Sequence, residues 1–534
     1  MTDTTATDTA GPRAAVQPEP RPTANLAAVA GVVAVAAALG LSELIAGLLT
    51  APSLLAAVGG FVIDHQPPGA KDLVVRLFGD NDKLALETLI VVVSLVVGAG
   101  LGLAARRSFL LGAAGIGAFA VFGFVAALGD PSAAAAPAAI VTGVAAFTGI
   151  QSLSWLIGWA RPREAAPPAG RPRSSMPDWS RRGFLIRSGS LAAASVVAGV
   201  VGRRLLDGSN SIPVTAGNAL PPPTNTASLP GGAALDVAGI SPIVVPNSSF
   251  YRIDTALLVP GVDVATWSVR IHGMVERETT LTYAELAALP LFEQYVTIAC
   301  VSNEVGDKLV GNAKWTGVRL RDVLAMAGVQ SGASQLVGRS VDGFTAGMPT
   351  AWVMDPSREP MIALKMNDEV LPKAHGFPAR LIVPGLYGYV SATKWLSELE
   401  LTTLEAFDGY WVPLGWSKEA PILTQSRIDV PKSGQTVPRG RVAVAGVAWA
   451  PDRGVSKVEV AIDGAWQECT LSSPISKATW VQWLYAWDTS SVAAGEHTIE
   501  VRATDGTGAV QTADHSEPAP DGARGHHTIQ VSVG

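Results

Sequence analysis

Four long apolar runs near the start of the chain constrain its fold more than any other feature. They cover about residues 26–50, 84–105, 108–128 and 134–159. A helix needs about 20 predominantly apolar residues to cross the hydrocarbon core of a membrane, and each run is long enough. The stretch from Ala51 to Ile63 is too short, so we expect it to lie at the interface or to extend the first helix. The sequence therefore predicts a four-helix transmembrane bundle over residues 24–160.

Arginines that flank these runs predict the orientation of the bundle. They lie before the first run, between the second and third, and after the fourth (Arg13, Arg21, Arg106, Arg107, Arg161, Arg163, Arg171 and Arg173). Cytoplasmic loops carry an excess of arginine and lysine. All three groups fall on one side if the N-terminus is cytoplasmic. We therefore predict a disordered cytoplasmic tail over residues 1–23 and a cytoplasmic linker over residues 161–182.

Few ionisable or metal-binding side chains lie in or near the predicted bundle. The only histidine before residue 272 is His65, which falls in a loop. A b-type haem between helices usually needs histidine ligands, so we expect none here. Glu43 and Glu87 lie near the spans. An ionisable group inside a membrane is a functional candidate, but a position near a helix end is the simpler interpretation, and we favour it.

A pair of arginines follows the linker and precedes a further apolar segment. The sequence reads Ser180-Arg181-Arg182-Gly183-Phe184-Leu185, and a run of small apolar residues continues to Gly202. This pattern is typical of a twin-arginine export signal, and the alternative is a basic flank before an ordinary fifth span. Either interpretation assigns residues 183–203 to the membrane and everything after them to the extracytoplasmic side. Residues 204–235 are rich in Pro, Gly, Ser, Thr and Asn, which predicts a flexible linker.

The composition changes to that of an ordinary globular protein after about residue 240. The formal net charge of the chain is −6, without a basic stripe, which argues against a nucleic-acid partner. Two cysteines, Cys300 and Cys469, are too few for a disulfide framework. Cys300 ends a β-rich segment and precedes a polar loop that contains glycine. A thiol at such a strand end is placed to face a pocket. By itself this is weak evidence, because a buried free cysteine is often only a small core residue.

Three motifs give Cys300 its context. They are Cys300-Val301-Ser302-Asn303 with Gly311-Asn312-Ala313-Lys314-Trp315-Thr316-Gly317-Val318, then His375-Gly376-Phe377-Pro378-Ala379-Arg380-Leu381-Ile382-Val383-Pro384-Gly385, then Lys394-Trp395-Leu396. Together, and in this order, they resemble the metal-binding and cofactor-binding segments of the sulfite oxidase family. The resemblance covers roughly residues 236–534 and excludes the predicted bundle.

The resemblance implies an α+β molybdopterin-binding catalytic domain over residues 236–408. Its molybdenum would be held by the pterin dithiolene and by Cys300, a soft ligand that suits a redox metal. Donors for the pterin phosphate would be His375, Arg380 and Lys394. The resemblance adds four further cofactor-binding candidates: Asn247, Phe250, Tyr251 and Asp342. The chain has no Cys-x-x-Cys-His haem attachment and no iron–sulfur cysteines, so we expect electrons to pass to or from a separate carrier.

The substrate side of the resemblance is less complete. Sulfite oxidases carry a Phe-x-Arg-Asn-His motif at the oxyanion pocket, and the matching place here reads Phe250-Tyr251-Arg252-Ile253-Asp254. Arg252 is retained and would bind an anionic substrate, but the following Asn-His is replaced. The stretch is also similar to the sulfoxide-reductase branch of the superfamily. We therefore expect oxygen-atom transfer on a small anionic sulfur compound, with sulfoxide reduction as one alternative and a non-catalytic membrane-tethered binding protein as another.

The C-terminal part, residues 409–534, alternates in the manner of short strands. Segments such as 442–449, 455–462, 497–503 and 528–533 are separated by turn residues, which predicts an all-β immunoglobulin-like sandwich. In sulfite oxidase relatives this domain mediates dimerisation, so the resemblance implies a homodimer. Tyr410 is a candidate active-site tyrosine, with an ordinary aromatic at the domain junction as the alternative. His526 and His527 have no third ligand at a fitting spacing, so we predict no metal there.

Overall fold

The structure is a computed structural model that describes residues 21–49, 51–67, 77–78, 82–129, 133–161, 179–208 and 220–534. The predicted tail up to residue 20, most of the predicted cytoplasmic linker and residues 209–219 of the predicted flexible linker lie outside the described residues. So do four of the orienting arginines, Arg13, Arg163, Arg171 and Arg173. The chain divides into two compact units: a helical one that ends at Gly208 and a second one that holds residues 220–534.

The described residues of the first unit include six helices with defined bounds. They are α1 (Ala24–Leu49), α2 (Leu54–Asp64), α3 (Asp82–Arg107), α4 (Phe109–Leu128), α5 (Ala135–Ala160) and α6 (Trp179–Gly208). The four helices predicted from the apolar runs are present as α1, α3, α4 and α5, and the short stretch after the first is a separate helix, α2. Among the described residues, every one of the six except α2 is long and apolar enough to cross a membrane.

Helix α6, which contains the paired arginines, packs along α1. The two backbones touch: a Cβ atom at Gly202 would lie 2.3 Å from the carbonyl oxygen of Glu43, and one at Gly40 would lie 2.2 Å from that of Ser195. Small residues at such crossings let helices approach closely in membranes. The segment predicted as an export signal or fifth span is therefore a helix of the bundle in this structure.

The two glutamates noted in the sequence make polar contacts between helices. Glu43 of α1 is buried and accepts a 2.6 Å hydrogen bond from Ser53, which precedes α2. Glu87 of α3 forms an ion pair with Arg203 of α6. Glu43 lies near the C-terminal end of α1, so its contact joins α1 to the start of α2, and the ion pair joins the N-terminal part of α3 to the C-terminal part of α6.

The catalytic domain consists of two five-stranded sheets with short helices between strands. The strands are β1 (Ser268–Gly273), β2 (Thr279–Thr282), β3 (Leu291–Ala299), β4 (Val310–Arg319), β5 (Gln335–Ser340), β6 (Thr345–Pro349), β7 (Met361–Met366), β8 (Glu369–Val370), β9 (Arg380–Ile382) and β10 (Leu396–Thr402). One sheet has the order β2-β1-β10-β5-β6; the other has β3-β4-β7-β8, with β9 also paired to β7. The helices are α7 (Tyr283–Ala287), α8 (Leu320–Ala327), α9 (Thr350–Met354) and α10 (Gly388–Ser391).

Local sequence accounts for several of these elements. Helix α7 begins with a capping box: the Thr282 side chain accepts from the Glu285 N–H, and the Glu285 side chain accepts from the Thr282 N–H. Strands β3 and β4 are buried over most of their length. They pair antiparallel from Leu291 opposite Val318 to Ala299 opposite Val310. This long hairpin places Cys300 at the start of its connecting loop.

Residues 220–235 correct part of the predicted flexible linker. They lie along the folded domains: Thr224 donates its N–H to the carbonyl of Leu291 at 2.8 Å, and Leu235 donates to the side chain of Gln482 at 2.6 Å. Asn225 also forms a parallel bridge to Phe292. The composition of this segment offers few apolar side chains to bury, but its backbone forms hydrogen bonds along the edge strand β3.

The C-terminal domain is a sandwich of two sheets, as predicted. Its strands are β11 (Gln425–Val430), β12 (Thr436–Val437), β13 (Arg441–Trp449), β14 (Val455–Ile462), β15 (Ala465–Glu468), β16 (Thr470–Leu471), β17 (Val481–Asp488), β18 (Gly495–Asp505) and β19 (His527–Val533). The sheet orders are β11-β13-β17-β16 and β12-β19-β18-β14-β15. Side chains from both sheets form one core, including Val444, Trp483 and Ile499. The four predicted strand segments are confirmed as parts of β13, β14, β18 and β19.

Candidate active site

Cys300 is held by a short loop between β3 and β4. Its backbone N–H donates to the carbonyl of Leu309 at 2.9 Å, which closes the loop at its base. Asn303 fills the interior: its N–H donates to the carbonyl of Cys300 at 3.2 Å, and its side-chain oxygen accepts from the N–H of Leu309 at 2.7 Å. Cys300 is 8% exposed. The thiol is therefore positioned by backbone hydrogen bonds on both sides of it.

Tyr251 is near enough to Cys300 and to the buried Arg380 for the charge of each to act on its hydroxyl. Its ring stacks on Phe250 with centroids 5.2 Å apart. Burial raises the pKa of Tyr251; negative charge at Cys300 raises it further, whereas Arg380 lowers it. The phenol therefore stays protonated at neutral pH. Because both charges act on this hydroxyl, Cys300 and Arg380 belong to one neighbourhood around Tyr251.

Arg380 is a buried cation whose hydrogen bonds are incomplete. It begins β9, and it is only 3% exposed. Its Nη1 donates to the carbonyl of His375 at 3.0 Å, and the guanidinium lies 5.1 Å from the centroid of the Trp315 ring. Among the described residues, its Nε has no hydrogen-bond partner. Burial lowers the pKa of Arg380 to about 10, so the group stays charged at neutral pH and retains a donor for an anion.

His375 lies beside this arginine and is neutral. Its Nε2 is 3.0 Å from the carbonyl oxygen of Asn247, and burial lowers the pKa of the ring to about 4. A carbonyl only accepts, so Nε2 carries the proton of the neutral ring. The edge of the Phe250 ring packs against His375 with centroids 5.7 Å apart. Lys394, Arg380 and Arg252 all disfavour protonation of this ring, which shows that the three cations surround it.

Lys394 completes the group together with Arg252 and a shared carboxylate. Its Nζ donates to Asp254 at 3.0 Å and to the carbonyl of Ala374 at 3.1 Å. Arg252 donates from Nε to the same Asp254 oxygen at 2.9 Å. Burial, followed by the charges of Arg380 and Arg252, lowers the pKa of Lys394 to about 8, although Asp254 opposes the shift. We call Arg252, His375, Arg380 and Lys394 the cationic cluster.

These residues fit a molybdenum pterin. In the cationic cluster Arg252 and Lys394 share one carboxylate, Asp254, and the buried Arg380 has a donor left over, which suits a phosphate. Near Tyr251 lies a single buried thiol, a soft ligand for a redox metal. The fold therefore offers a ligand for the metal and hydrogen-bond donors for the pterin phosphate.

The remaining predicted residues are placed as follows. Asn247 links the two sides of a turn: its side chain donates to the carbonyl of Met366 at 3.1 Å and to Glu369 at 2.8 Å. Asp342 lies in the turn between β5 and β6, where its side chain accepts from the N–H of Phe344 at 3.2 Å. The ring of Tyr410 packs beside Phe344, with centroids 5.8 Å apart. The structure thus brings Asp342 and Tyr410 to one turn and the other predicted residues to the space around Tyr251.

Two residues of the site were not singled out from the sequence. Asp254 was noted only as a departure from a motif, yet it pairs with both Arg252 and Lys394. Tyr387 is buried, and burial raises its pKa, with Cys300 among the neighbours that add to the shift. The spacing of Asp254 two residues after Arg252 was a possible signal of an ion pair. Nothing in the sequence connected Tyr387 to Cys300.

Comparison with known proteins agrees with this geometry. Residues 256–411 match the family described as "Oxidoreductase molybdopterin binding domain", and residues 425–501 match "Bacterial Ig domain". Mitochondrial sulfite oxidases of Rattus norvegicus and Homo sapiens are each 30% identical over 272 residues, which is 43% of this chain and 49% of each relative. A nitrate reductase [NADH] of Hordeum vulgare is 29% identical over 273 residues, 40% of this chain and 30% of its own.

The chain spans about half the length of the curated sulfite oxidases it matches. Among solved structures, the sulfane dehydrogenase SoxCD from Paracoccus pantotrophus aligns with 54% of this chain and 81% of its own, at 22% identity and a TM-score of 0.48. The first match contains Cys300, His375, Arg380 and Lys394 but begins after Asp254, and the second runs from β11 into β18. The chain therefore carries the molybdopterin-binding domain of an oxidoreductase, similar to those of sulfite oxidases and nitrate reductases, followed by a bacterial Ig domain.

Proposed function

We propose that the chain is a molybdenum-cofactor oxidoreductase that performs two-electron oxygen-atom transfer on a small anionic sulfur compound. The observation that carries the proposal is the combination of a buried thiol, Cys300, with a buried arginine, Arg380, whose Nε has no partner among the described residues, both of them near Tyr251. When bound, the molybdenum pterin supplies the oxygen-atom transfer and the two-electron redox change. The residues of the chain bind it, orient it and exclude water.

Each residue has a defined part in this proposal. Cys300 binds the metal as a thiolate, and its loop fixes the direction of the sulfur. Arg380 and Lys394 hold the pterin phosphate by charge-assisted hydrogen bonds. His375 is neutral, so it would help to orient the phosphate without adding charge. Tyr251 keeps its proton because its pKa is raised, so its hydroxyl can donate to a bound oxygen atom.

Arg252 is the proposed contact for the anionic substrate. Its side chain is 35% exposed, whereas that of its partner Asp254 is 6% exposed, so Arg252 is the member of the pair that reaches solvent. An anion that approached it would compete with Asp254 for the guanidinium. Sulfite is our first candidate, because the sulfite oxidases are among the relatives that the domain matches.

Reduction of a sulfoxide is the second candidate. It is favoured by the same ion pair: Arg252 is already paired with Asp254, which stands where sulfite oxidases have part of their Asn-His step. A neutral sulfoxide does not need a free cation. Oxidation of sulfite and reduction of a sulfoxide run in opposite directions, so they can be separated by assay.

The proposal includes a location and partners. The five apolar helices and the arginines that flank them support a membrane anchor in lipid, with the N-terminus in the cytoplasm and the catalytic domain outside. With no haem or iron–sulfur site expected in the chain, a separate carrier would exchange electrons with the metal. The resemblance to sulfite oxidases adds a homodimer formed through the C-terminal domain.

The experiment that tests the proposal is metal and pterin analysis of the purified full-length chain. We expect about one molybdenum and one pterin per chain, and loss of activity with an altered metal spectrum in Cys300→Ser. Cys469→Ser is the matched control, because Cys469 is equally buried but lies in the core of the C-terminal sandwich. A chain free of metal and pterin, from a host that makes and inserts the cofactor, would support the binding-protein alternative instead.

Substrate assays then separate the two reactions. We expect sulfite to reduce an artificial electron acceptor in the presence of the wild-type chain. Activity only with methyl-sulfoxide compounds and a reduced dye would replace sulfite oxidation by sulfoxide reduction. The same Cys300→Ser variant should be inactive in either assay.

A further inference from the structure

The loop that follows Cys300 reaches the C-terminal domain. We call residues 301–309 the cysteine loop. At its tip, the carbonyl of Asp307 accepts a 2.7 Å hydrogen bond from Nη1 of Arg427 on β11. Next to it, the ring of His527 on β19 packs on Gly306, where a Cβ atom would lie 2.3 Å from the ring. Gly306 has a φ of +84°, so this tip requires glycine both for its backbone conformation and for the approach of the ring.

Arg427 is itself fixed on its other sides. It is 8% exposed, and its Nε donates to Asp429 at 2.8 Å. Its Nη2 donates to the hydroxyl of Ser241 at 2.7 Å, and the N–H of Ser241 donates to the second oxygen of Asp429 at 2.9 Å. All three nitrogens of this guanidinium are thus engaged. A buried, fully paired group of this kind holds its partner in one position.

The ring of His527 is also fixed in position, by a hydrogen bond and by burial. Its Nδ1 accepts the backbone N–H of Ile428 at 2.9 Å. Burial lowers the pKa of the ring to about 4, so the ring is neutral at neutral pH and keeps this bond. The ring is therefore a fixed surface against which Gly306 lies.

The strand that leads into Cys300 is also attached to the C-terminal domain. Trp480 donates its backbone N–H to the hydroxyl of Thr297 on β3 at 2.8 Å. The indole of Trp480 belongs to the same hydrophobic core as Val301, on the cysteine loop. The two domains are thus continuous in packing around the thiol.

We propose that the C-terminal domain positions Cys300, with Arg427 and His527 as the positioning residues. The hydrogen bonds within the loop transmit the effect. A shift of Asp307 moves the neighbouring Leu309, whose N–H and carbonyl bond to Asn303 and to Cys300. This role is separate from dimerisation, which the family resemblance suggests for the domain. The catalytic consequence rests on the proposed function, whereas the positioning of the thiol does not.

The test compares Arg427→Met with Arg453→Met in the full-length chain made without the cofactor. Arg453 is a matched control: it lies in the same domain, and it donates to Asp505 at 2.8 Å and to the carbonyl of Ile422 at 3.0 Å. The readout is the rate at which iodoacetamide alkylates Cys300, mapped by mass spectrometry. Cys469 serves as an internal reference, because burial raises the pKa of its thiol to about 12.

We expect Arg427→Met to speed alkylation of Cys300 by about tenfold, since a released loop opens more often, and Arg453→Met to stay within about twofold of wild type. Arg427→Lys keeps one donor for Asp307 and should restore part of the protection. An unchanged rate in Arg427→Met, or an equal increase in both methionine variants, would overturn the proposal.

Two further measurements use a less disruptive variant, His527→Ala, and the chain loaded with molybdenum. If Arg427→Met does not fold, His527→Ala removes the ring behind Gly306 and should speed alkylation by about threefold; no change would overturn the proposal. In the molybdenum-loaded chain, Arg427→Met should alter the Mo(V) resonance and lower kcat more than it changes KM. If the chain binds no molybdenum, the proposed function is wrong. The alkylation rates still decide whether the C-terminal domain positions Cys300.

Discussion

The Cys300 side of the site and the cationic cluster are assembled over different distances along the chain. Cys300 follows β3 in a hairpin, β3 to β4, and the pairing between these two strands joins residues within about 30 positions of each other. The cationic cluster joins segments that are far apart: Lys394 and its partner Asp254 are 140 residues apart in sequence. The hairpin that carries the thiol is therefore formed locally, although its loop also contacts the C-terminal domain, whereas a group of buried cations needs the whole domain.

The two sides also differ in charge. Next to Cys300, burial raises the pKa of the hydroxyls of Tyr251 and Tyr387, and both remain neutral donors. In the cationic cluster, burial lowers the pKa of Arg380 and Lys394, and charged groups remain next to one neutral histidine. The comparison predicts that the metal and the phosphate depend on separate residues and can be lost separately.

The largest effect should come from Cys300→Ser. Loss of the thiolate ligand should lower kcat/KM by about 10³-fold or more, because an alkoxide or hydroxyl is a poor substitute for a soft ligand. Pterin content should stay near that of wild type, since the cationic cluster is intact. The measurement is activity together with pterin fluorescence after release. Loss of the pterin as well would show that the two sides are not independent.

Arg380→Met should have the opposite pattern. Removing a buried, hydrogen-bonded charge costs about 2–5 kcal/mol, so pterin retention should fall by about 30-fold or more, while Cys300 keeps its place. The measurement is pterin per chain after gel filtration. Arg319→Met is the control, because Arg319 pairs with Glu359 elsewhere in the same domain. Full pterin content in Arg380→Met would remove Arg380 from the phosphate site.

The pH dependence of pterin retention should follow Lys394. Its pKa in the cofactor-free chain is lowered to about 8, so the lysine is charged below that pH and loses its charge as the pH rises above it. An anion binds the charged form, and retention should therefore weaken by up to about tenfold per pH unit above pH 8. Lys394→Arg, which stays charged, should remove this fall between pH 8 and 10. An identical profile in the variant would assign the titration to another group.

Arg252→Met should have the smallest effect. It should also decide whether Arg252 contacts the substrate or the pterin phosphate. Half of its charge is already balanced by Asp254, so we expect KM for sulfite to rise by only about threefold to tenfold, with pterin content unchanged. Steady-state kinetics and pterin analysis measure the two quantities. A loss of pterin with constant KM would place Arg252 with the phosphate donors and leave the substrate without this contact.

Much of the architecture was predictable from local patterns. The apolar runs became helices because length and hydrophobicity are properties of single segments. The alternating C-terminal segments became strands for the same reason. Cys300, His375 and Arg380 were found because their motifs are contiguous, and a contiguous motif keeps its backbone geometry wherever the chain places it.

Other features were set only by the tertiary structure. The sequence predicted a flexible linker over residues 220–235, but the exposed edge of β3 gives its backbone hydrogen-bond partners. Asp254 looked like a lost motif residue and proved to be the shared partner of Arg252 and Lys394. The contact between Arg427 and the cysteine loop joins positions 120 residues apart.

The sequence by itself predicted the segments of this protein: four apolar helices, a further apolar segment with paired arginines, a molybdopterin-binding domain and a β-sandwich, with Cys300 as the proposed metal ligand. Tertiary structure decided which charges share a buried space and which domain supports the cysteine loop. The physical reason is that helix and strand patterns depend on neighbours along the chain, whereas desolvation and ion pairing depend on neighbours in space.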